Sequence, residues 1–205
     1  MKIENFSYSY QYKNIFSGAN FYIADNEMNF ILGENGVGKS TLLDCIANVD
    51  GSRTKEFIGF PKPQRIGYLS QGNNFENDLT VADILGFMKQ VHDVREFKLP
   101  SVIQKFYQTR FGSLSGGERR ILLVFINTIL DKGLYIFDEP EAGIDGKHAV
   151  EMFSWLRGLS DIGKTLIVTT HQLDNIRDTD NVNYICNEEN ILVGDFVKVK
   201  NKLNF

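Results

Sequence analysis

Between Ile3 and Leu32 apolar and polar positions alternate, with many aromatic residues, as in Asn20-Phe21-Tyr22-Ile23. This period of two predicts several half-buried strands. Asp25-Asn26 marks a turn before the strand-like run from Met28 to Leu32. From Lys39 the period lengthens: Leu42, Leu43 and Ile46 fit one helix face, and Asp50-Gly51 is expected to break that helix. A strand is predicted over Ile66 to Ser70. Thr80 can cap a helix from Val81 to about Val91, and Pro100 can open another from Ser101 to Phe111, so the stretch at about 72–113 reads as a small helical lobe. Beyond it come a helix from about Glu118 to Leu130, a strand from Leu134 to Phe137, a helix from Gly146 to Leu159 with Asp145 as N-cap, and a strand from Thr165 to Thr170. Strand and helix alternating at this spacing imply parallel crossovers and an α/β fold with a parallel-sheet core. The tail, Val182 to Cys186 and Ile191 to Lys200 around Asn187-Glu-Glu-Asn190, reads as a hairpin.

Composition narrows the class. A chain of 205 residues suits one well-cored domain, and 42% apolar with 23% charged residues excludes a mainly disordered protein. The most apolar stretch, Ile121 to Leu130, is too short for a membrane span and contains Asn127 and Thr128, so it is expected as a buried helix. The N-terminus lacks the continuous apolar core of a secretory signal, which points to a cytoplasmic location. A net charge of −4 gives no bulk attraction to nucleic acid, and no nucleic-acid partner is expected. Arg119-Arg120 and Lys198 to Lys202 read as solvated faces without a function. Cys45 and Cys186 have neither zinc-ligand spacing nor a disulfide framework around them and are expected as buried, reduced thiols.

Three strings carry chemistry. Gly33-Glu-Asn-Gly-Val-Gly38-Lys39-Ser40-Thr41 fits G-x-x-x-x-G-K-[ST] and lies between a strand pattern and a helix pattern, where a phosphate loop must lie. Its glycines let Asn35, Gly36, Val37 and Gly38 turn backbone N–H groups inward, the helix start adds a favourable dipole, Lys39 supplies a cation to the outer phosphates, and Ser40 offers a hydroxyl to Mg²⁺. Leu134-Tyr-Ile-Phe137 runs into Asp138-Glu139, two carboxylates at the carboxyl end of a buried strand, the edge where ligands sit in open α/β folds. Asp138 suits the water shell of Mg²⁺, and Glu139 suits the orientation of an attacking water. Leu114-Ser115-Gly116-Gly117-Glu118 has the form of a capping box, Ser-x-x-Glu, ahead of an apolar helix. A cap does not need two consecutive glycines. Gly116 and Gly117 leave the helix start bare, so that the Ser115 hydroxyl and nearby N–H groups can approach a second phosphate surface. Two such cradles in one short chain point to a nucleotide gripped by two protomers.

Taken together, the phosphate loop, Gln71 after a strand, LSGGE, LYIFDEP and His171 after a strand resemble the ABC ATPase family in order and spacing over nearly the whole chain. The resemblance implies an ABC cassette: a P-loop NTPase with a parallel-sheet core, an N-terminal antiparallel β subdomain and an inserted helical lobe, one domain over 1–205. It also implies MgATP hydrolysis. Gln71 would sense the γ-phosphate and Mg²⁺, Asp145 would cross a dimer interface, His171 would contact the γ-phosphate, and Tyr10 would stack on adenine, with Tyr8 and Tyr12 close by. Two departures stand out: Glu118 replaces the usual Gln, and Glu141-Ala-Gly-Ile precedes Asp145 where Ser-Ala-Leu is common. The implied partners are a second copy or a related ABC ATPase, and a separate integral membrane permease that would hold the chain at the inner face of the membrane. Arg65-Ile-Gly-Tyr-Leu-Ser-Gln71 with Asp78-Leu-Thr-Val-Ala-Asp83 is similar to ATPase subunits of bacterial exporters of drugs, peptides or other small cargo. The competing class, a soluble ABC ATPase acting on ribosomes or nucleic acid, normally brings paired cassettes, coiled-coil insertions or a basic face, none of which is legible here.

Overall fold

The N-terminal alternation builds an antiparallel sheet in which β1 (Lys2–Tyr10) pairs on one side with β2 (Lys13–Tyr22) and on the other with the short β4 (Phe57–Ile58). A computed structural model describes residues 1–51, 53–70, 72 and 74–203. The second sheet joins β3 (Met28–Gly33), β5 (Ile66–Leu69), β6 (Leu134–Asp138), β7 (Thr165–Thr169), β8 (Asn181–Ile185) and β9 (Ile191–Asp195) in the order β5-β6-β7-β3-β8-β9. All neighbours in it are parallel except β8 and β9. The carboxyl ends of β6, β7 and β3 therefore lie side by side.

The helices are α1 (Lys39–Ala47), α2 (Val81–Val91), α3 (Ser101–Gln104), α4 (Gly116–Ile129), α5 (Gly146–Asp161) and α6 (Phe196–Leu203). The large sheet is covered on both faces, and its side-chain period of two sorts alternate residues into two cores. Tyr135 and Phe137 of β6 join Leu122, Phe125, Met152 and Leu156 from α4 and α5. Leu134 and Ile136 join Leu42 and Ile46 of α1 and the aromatic side chains of the antiparallel sheet, among them Phe6 and Phe16. The expected burial of the helix through Ile121 holds: Ile121 to Ile126 are all buried, so this helix is apolar around its whole circumference.

Several boundaries differ from expectation. α1 ends before Asp50-Gly51, because Asn48 takes the left-handed conformation (φ 58°) and returns its N–H to Asp44 and Cys45 carbonyls. The helix expected over Ser101 to Phe111 stops at Gln104. The Thr109 and Tyr107 carbonyls accept the first N–H groups of α2, from Val81 and Ala82 at 3.1 and 2.9 Å, which draws the chain out of a helical course. The tail hairpin closes as β8 and β9, but residues beyond Asp195 coil into α6, driven by burial of Phe196 and Val199 three positions apart. Cys45 is buried as expected, whereas Cys186 is exposed, and neither forms a disulfide.

One polar cluster joins the two sheets. Asn29, fully buried in β3, accepts the Ala24 N–H at 2.7 Å and donates to the Ala24, Glu27 and Leu166 carbonyls at 2.9, 3.1 and 3.0 Å. Asn181 donates to the same Asn29 oxygen at 2.8 Å, and Asn183 exchanges hydrogen bonds with the backbone of Tyr22. Leucine at position 29 would strand the Ala24 and Asn181 donors in an apolar setting, at about 1–3 kcal/mol for each unsatisfied group. Urea unfolding of Asn29→Leu should therefore show a stability loss of at least about 2 kcal/mol; a loss below about 0.5 kcal/mol would mean that the cluster is dispensable.

Candidate functional site

β3 ends at Gly33 and α1 begins at Lys39, with the glycine-rich loop between them. Gly38, the residue before α1, has φ 111°, and a Cβ there would lie 2.6 Å from Ile15 Cγ2. Only glycine lets the loop enter the helix this close to β2. Val37 anchors the loop by packing on the core below it. No side chain caps α1, so its first N–H groups are free to face an anion. They border a cavity of about 360 Å³ lined by Asn35, Gly36, Gly38, Lys39, Ser40 and Thr41, with Ile15 and Glu139 opposite. Lys39 is buried, and its ammonium donates to the Gly33 and Glu34 carbonyls at 2.8 and 3.0 Å. Burial lowers its pKa, against the pull of the Glu139 and Asp138 carboxylates.

The carboxylate pair lies beside this loop. Asp138, 2% exposed at the end of β6, accepts the Ser40 hydroxyl at 2.8 Å on one oxygen and the Thr169 hydroxyl at 2.6 Å on the other. Glu139 follows with φ 48°, a left-handed conformation uncommon for a residue with a side chain, held by its N–H to Thr169 Oγ1 at 2.8 Å. Its Oε1 meets His171 Nε2 at 2.9 Å. The expected residues Lys39, Ser40, Asp138, Glu139 and His171 thus converge on one sheet edge. Gln71 lies outside the described residues.

The oxygen set fits a magnesium ion. Ser40 and Asp138 are hard donors in contact with each other, and Asp138 makes no ion pair among the described residues. The described residues contain no cluster of three His, Cys, Asp or Glu side chains that could enclose a metal. A protein side offering one or two oxygens is what Mg²⁺ accepts when waters and substrate phosphates complete its shell.

Two site residues escaped the sequence reading. Arg120, expected on a solvated face, is 8% exposed and donates to the backbone carbonyls of Ser70, Asp138, Glu139 and Pro140. Burial lowers its pKa, opposed by the Asp138, Glu141 and Glu139 carboxylates. No local signal separates it from Arg119, because residues 116–119 of the same turn are exposed or half-buried. Glu141, 5% exposed, accepts the Thr170 hydroxyl and, at 3.3 Å, the His171 N–H. Its side chain has no local sequence signal.

The LSGGE string forms its capping box. The Ser115 N–H and hydroxyl both donate to Glu118 Oε2 at 2.8 Å, and Ser115 Oγ accepts the Glu118 N–H at 3.3 Å. α4 therefore starts at Gly116, two residues earlier than expected. The two glycines differ: a Cβ on Gly117 would lie 2.8 Å from the Gly143 carbonyl, whereas one on Gly116 would meet nothing within 4 Å. Packing explains Gly117, whereas Gly116 has no close neighbour of that kind among the described residues. Ser115, Gly116, Gly117 and Asp145 line a second cavity of about 650 Å³, together with Lys105 and His148, and no described residue lines both this cavity and the one at the glycine-rich loop. Tyr10 and Tyr12 stand exposed at the β1–β2 hairpin, outside the lining of the loop cavity, while Tyr8 packs partly on the core.

The sequence profile of the ABC transporter family matches residues 16–142. A putative ABC transporter ATP-binding protein of Clostridium tetani (strain Massachusetts / E88) is 31% identical over 193 residues, 85% of this chain and 44% of its own length. The Nod factor export ATP-binding protein I of Rhizobium meliloti (strain 1021) is 30% identical over 184 residues, covering 81% of this chain and 55% of that protein. The chain thus spans about half the length of these curated relatives. Among solved structures, an ATP-binding subunit of an ABC transporter superposes with a TM-score of 0.79 at 18% identity over 99% of this chain and 92% of the other. A nucleotide-free ATP-binding cassette from an ABC transporter gives 0.76 at 19% identity, covering 100% and 96%. At these identities the structural likeness establishes the fold.

Asp145, the N-cap of α5, is bonded by both the side chain and the backbone N–H of His148, and these hold its carboxyl below the usual aspartate range. A depressed carboxyl pKa contributes stability above its unfolded value, and that contribution is lost as pH falls through the folded value. Carbon-detected NMR titration should show Asp145 titrating low in the native chain and higher in His148→Ala. An unchanged midpoint would show that the imidazole does not hold it.

Proposed function

This chain belongs to the ABC transporter family of ATP-binding domains, and from that premise we propose that it is a MgATP-hydrolysing subunit that drives a separate membrane permease. The observation that carries the reading is the joined contact set at the carboxyl edge of the sheet: Ser40 with Asp138, Asp138 with Thr169, and Glu139 with His171. Phosphoryl transfer asks a protein for positioning and charge rather than covalent chemistry, and each of these groups supplies one of the two.

The free N–H groups of α1 and the loop around Gly36 and Gly38 receive the phosphates, and Lys39 leaves the Gly33 and Glu34 carbonyls to face the outer ones. Ser40 and Asp138 would hold Mg²⁺, as the resemblance also implies for Gln71. When bound, Mg²⁺ neutralises charge developing on the transferring phosphoryl group. Glu139 orients the attacking water and takes its proton, while His171 sets the Glu139 carboxylate on one side and faces the γ-phosphate on the other. Tyr10, exposed on the hairpin, supplies a ring for adenine.

The second half of the site comes from another protomer. Ser115, Gly116, Gly117 and Asp145 share a cavity whose described lining is separate from that of the phosphate-loop cavity, and a Cβ on Gly116 would meet nothing within 4 Å among the described residues. Two copies, or this chain and a related ABC ATPase, packed head to tail under two-fold symmetry would close each nucleotide between one loop and the other's Ser115. The exporter reading, of a drug, peptide or other small cargo, is supported by the likeness to a Nod factor export ATP-binding protein. Among the described residues no helix is long and apolar enough to cross a membrane, which fits attachment through a permease.

Glu139→Gln keeps the shape of the side chain but accepts no proton, so hydrolysis should fall by about 100-fold or more with fluorescent ATP-analogue binding retained and a MgATP-dependent dimer accumulating on sizing chromatography. Hydrolysis at the native rate would exclude Glu139 as the principal base. Mixing a Lys39→Ala protomer with a Ser115→Arg protomer, each inactive alone, should restore turnover, because one site of the mixed dimer keeps an intact loop facing an intact Ser115. Dimerisation of the mixture is measured beside turnover. A Ser115→Arg chain that turns over normally as a monomer would defeat the shared site.

A further inference from the structure

The Glu139–His171 contact joins two side chains on separate loops, and neither is exposed to forces that would hold it by packing: their side chains are 26% and 48% exposed. Such a pair needs its backbone fixed from below. On the Glu139 side this is done by Thr169 and Arg120, which bind the residue's N–H and carbonyl. On the His171 side the side chain that holds the His171 N–H is Glu141. Its Oε1 accepts the Thr170 hydroxyl and the His171 N–H, and the Thr170 oxygen in turn accepts the Gln172 N–H at 2.9 Å. Two consecutive residues of the turn after β7 are thereby tied to one carboxylate, and a third, Gln172, is tied to it through Thr170.

The carboxylate is in an expensive place. It is 5% exposed, its Oε2 has no hydrogen-bond partner among the described residues, and its charge is met by Arg120 at longer range. A buried, half-satisfied carboxylate costs a fold stability, and such a group in a native structure calls for an explanation in what it holds. An apolar residue here would avoid that cost and would release the turn.

We propose that Glu141 is a positioning residue for the Glu139–His171 pair: its carboxylate fixes the turn that carries His171, so that imidazole Nε2 stays in register with Glu139 Oε1. The inference rests on the proposed ATPase reading for its kinetic consequence, and on geometry alone for its spectroscopic one. Glu141 touches neither water nor phosphate in this role. Removing it should lower kcat and leave nucleotide binding intact, because the phosphate loop and Lys39 are untouched.

The test compares Glu141→Ala, Glu141→Gln and Thr170→Val with the native chain. Loss of an outer support that misplaces a reacting group by an ångström or less costs about 10- to 100-fold. Glu141→Ala should show a kcat loss of that order, with KM and the affinity for a fluorescent ATP analogue within about threefold. Glu141→Gln keeps an oxygen for Thr170 and the His171 N–H and should recover most of the loss. Thr170→Val, a small change less able to disturb folding, should fall between. In the nucleotide-free chain, the imidazole ¹⁵N signals of His171 should report the Glu139 hydrogen bond in the native and Gln proteins and lose it in the Ala protein. Native turnover in Glu141→Ala, or unmoved His171 signals in both Glu141→Ala and Thr170→Val, overturns the positioning role. A native chain that neither binds nor hydrolyses MgATP defeats the ATPase reading instead, and the His171 signals still decide whether Glu141 sets the pair.

Discussion

Asp138 brings a carboxylate almost wholly out of water, and two hydroxyls from two other elements make that tolerable. One is Ser40 at the start of α1, the other Thr169 at the end of β7. The contact is possible only because β6, β7 and β3 are adjacent and parallel, so that the loop after β3 and the ends of β6 and β7 emerge at the same edge. Reversing any one of these strands would carry its end to the opposite side of the molecule. The glycine-rich loop, the carboxylate pair and the histidine turn are thus consequences of one arrangement rather than three separate devices.

Beyond the sheet edge the backbone has no strand partner, and its carbonyls must be satisfied otherwise. Arg120 does this for Ser70, Asp138, Glu139 and Pro140 with a single planar group, which offers several donors at fixed angles. The burial of a guanidinium is offset only in part by the carboxylates of Asp138, Glu141 and Glu139 around it. This buried charge group also connects the first turn of α4 to the chain leaving β6. The left-handed backbone of Glu139 is stable in that setting because its N–H and carbonyl are both held.

The two helix starts named by the glycine-rich strings differ in state. α1 has no cap, and its N–H groups border an open cavity. α4 is closed on itself by Glu118, whose carboxylate lies where the Ser115 hydroxyl and N–H point. In the proposed two-protomer site, Ser115 must release Glu118 before it can donate to a phosphate, and the carboxylate must turn away from that anion. In that proposed arrangement the departure from Gln at this position acts on the strength of the trans contact, while Gly117 is kept small by the Gly143 carbonyl of its own chain.

Local order was largely legible in the sequence. The strand and helix periods, the helix cap at Thr80, the capping box at Ser115, the phosphate-loop string and the strand-end carboxylates all arise from residues a few positions apart, whose backbone geometry is set by hydrogen bonds over the same short range. Where contacts came from afar the reading failed: Tyr107 and Thr109 capped α2 in place of extending α3, and Phe196 and Val199 found a core that turned a predicted strand into α6. The sequence by itself determined the family, the α/β order and the residue types able to handle a phosphate. Only the tertiary structure decided that Ser40 meets Asp138 across 98 positions, that Arg120 is buried, that Cys186 is exposed and that Glu141 grips the His171 turn. Desolvation and hydrogen-bond satisfaction depend on which surfaces meet in space, and no spacing along the chain encodes that directly.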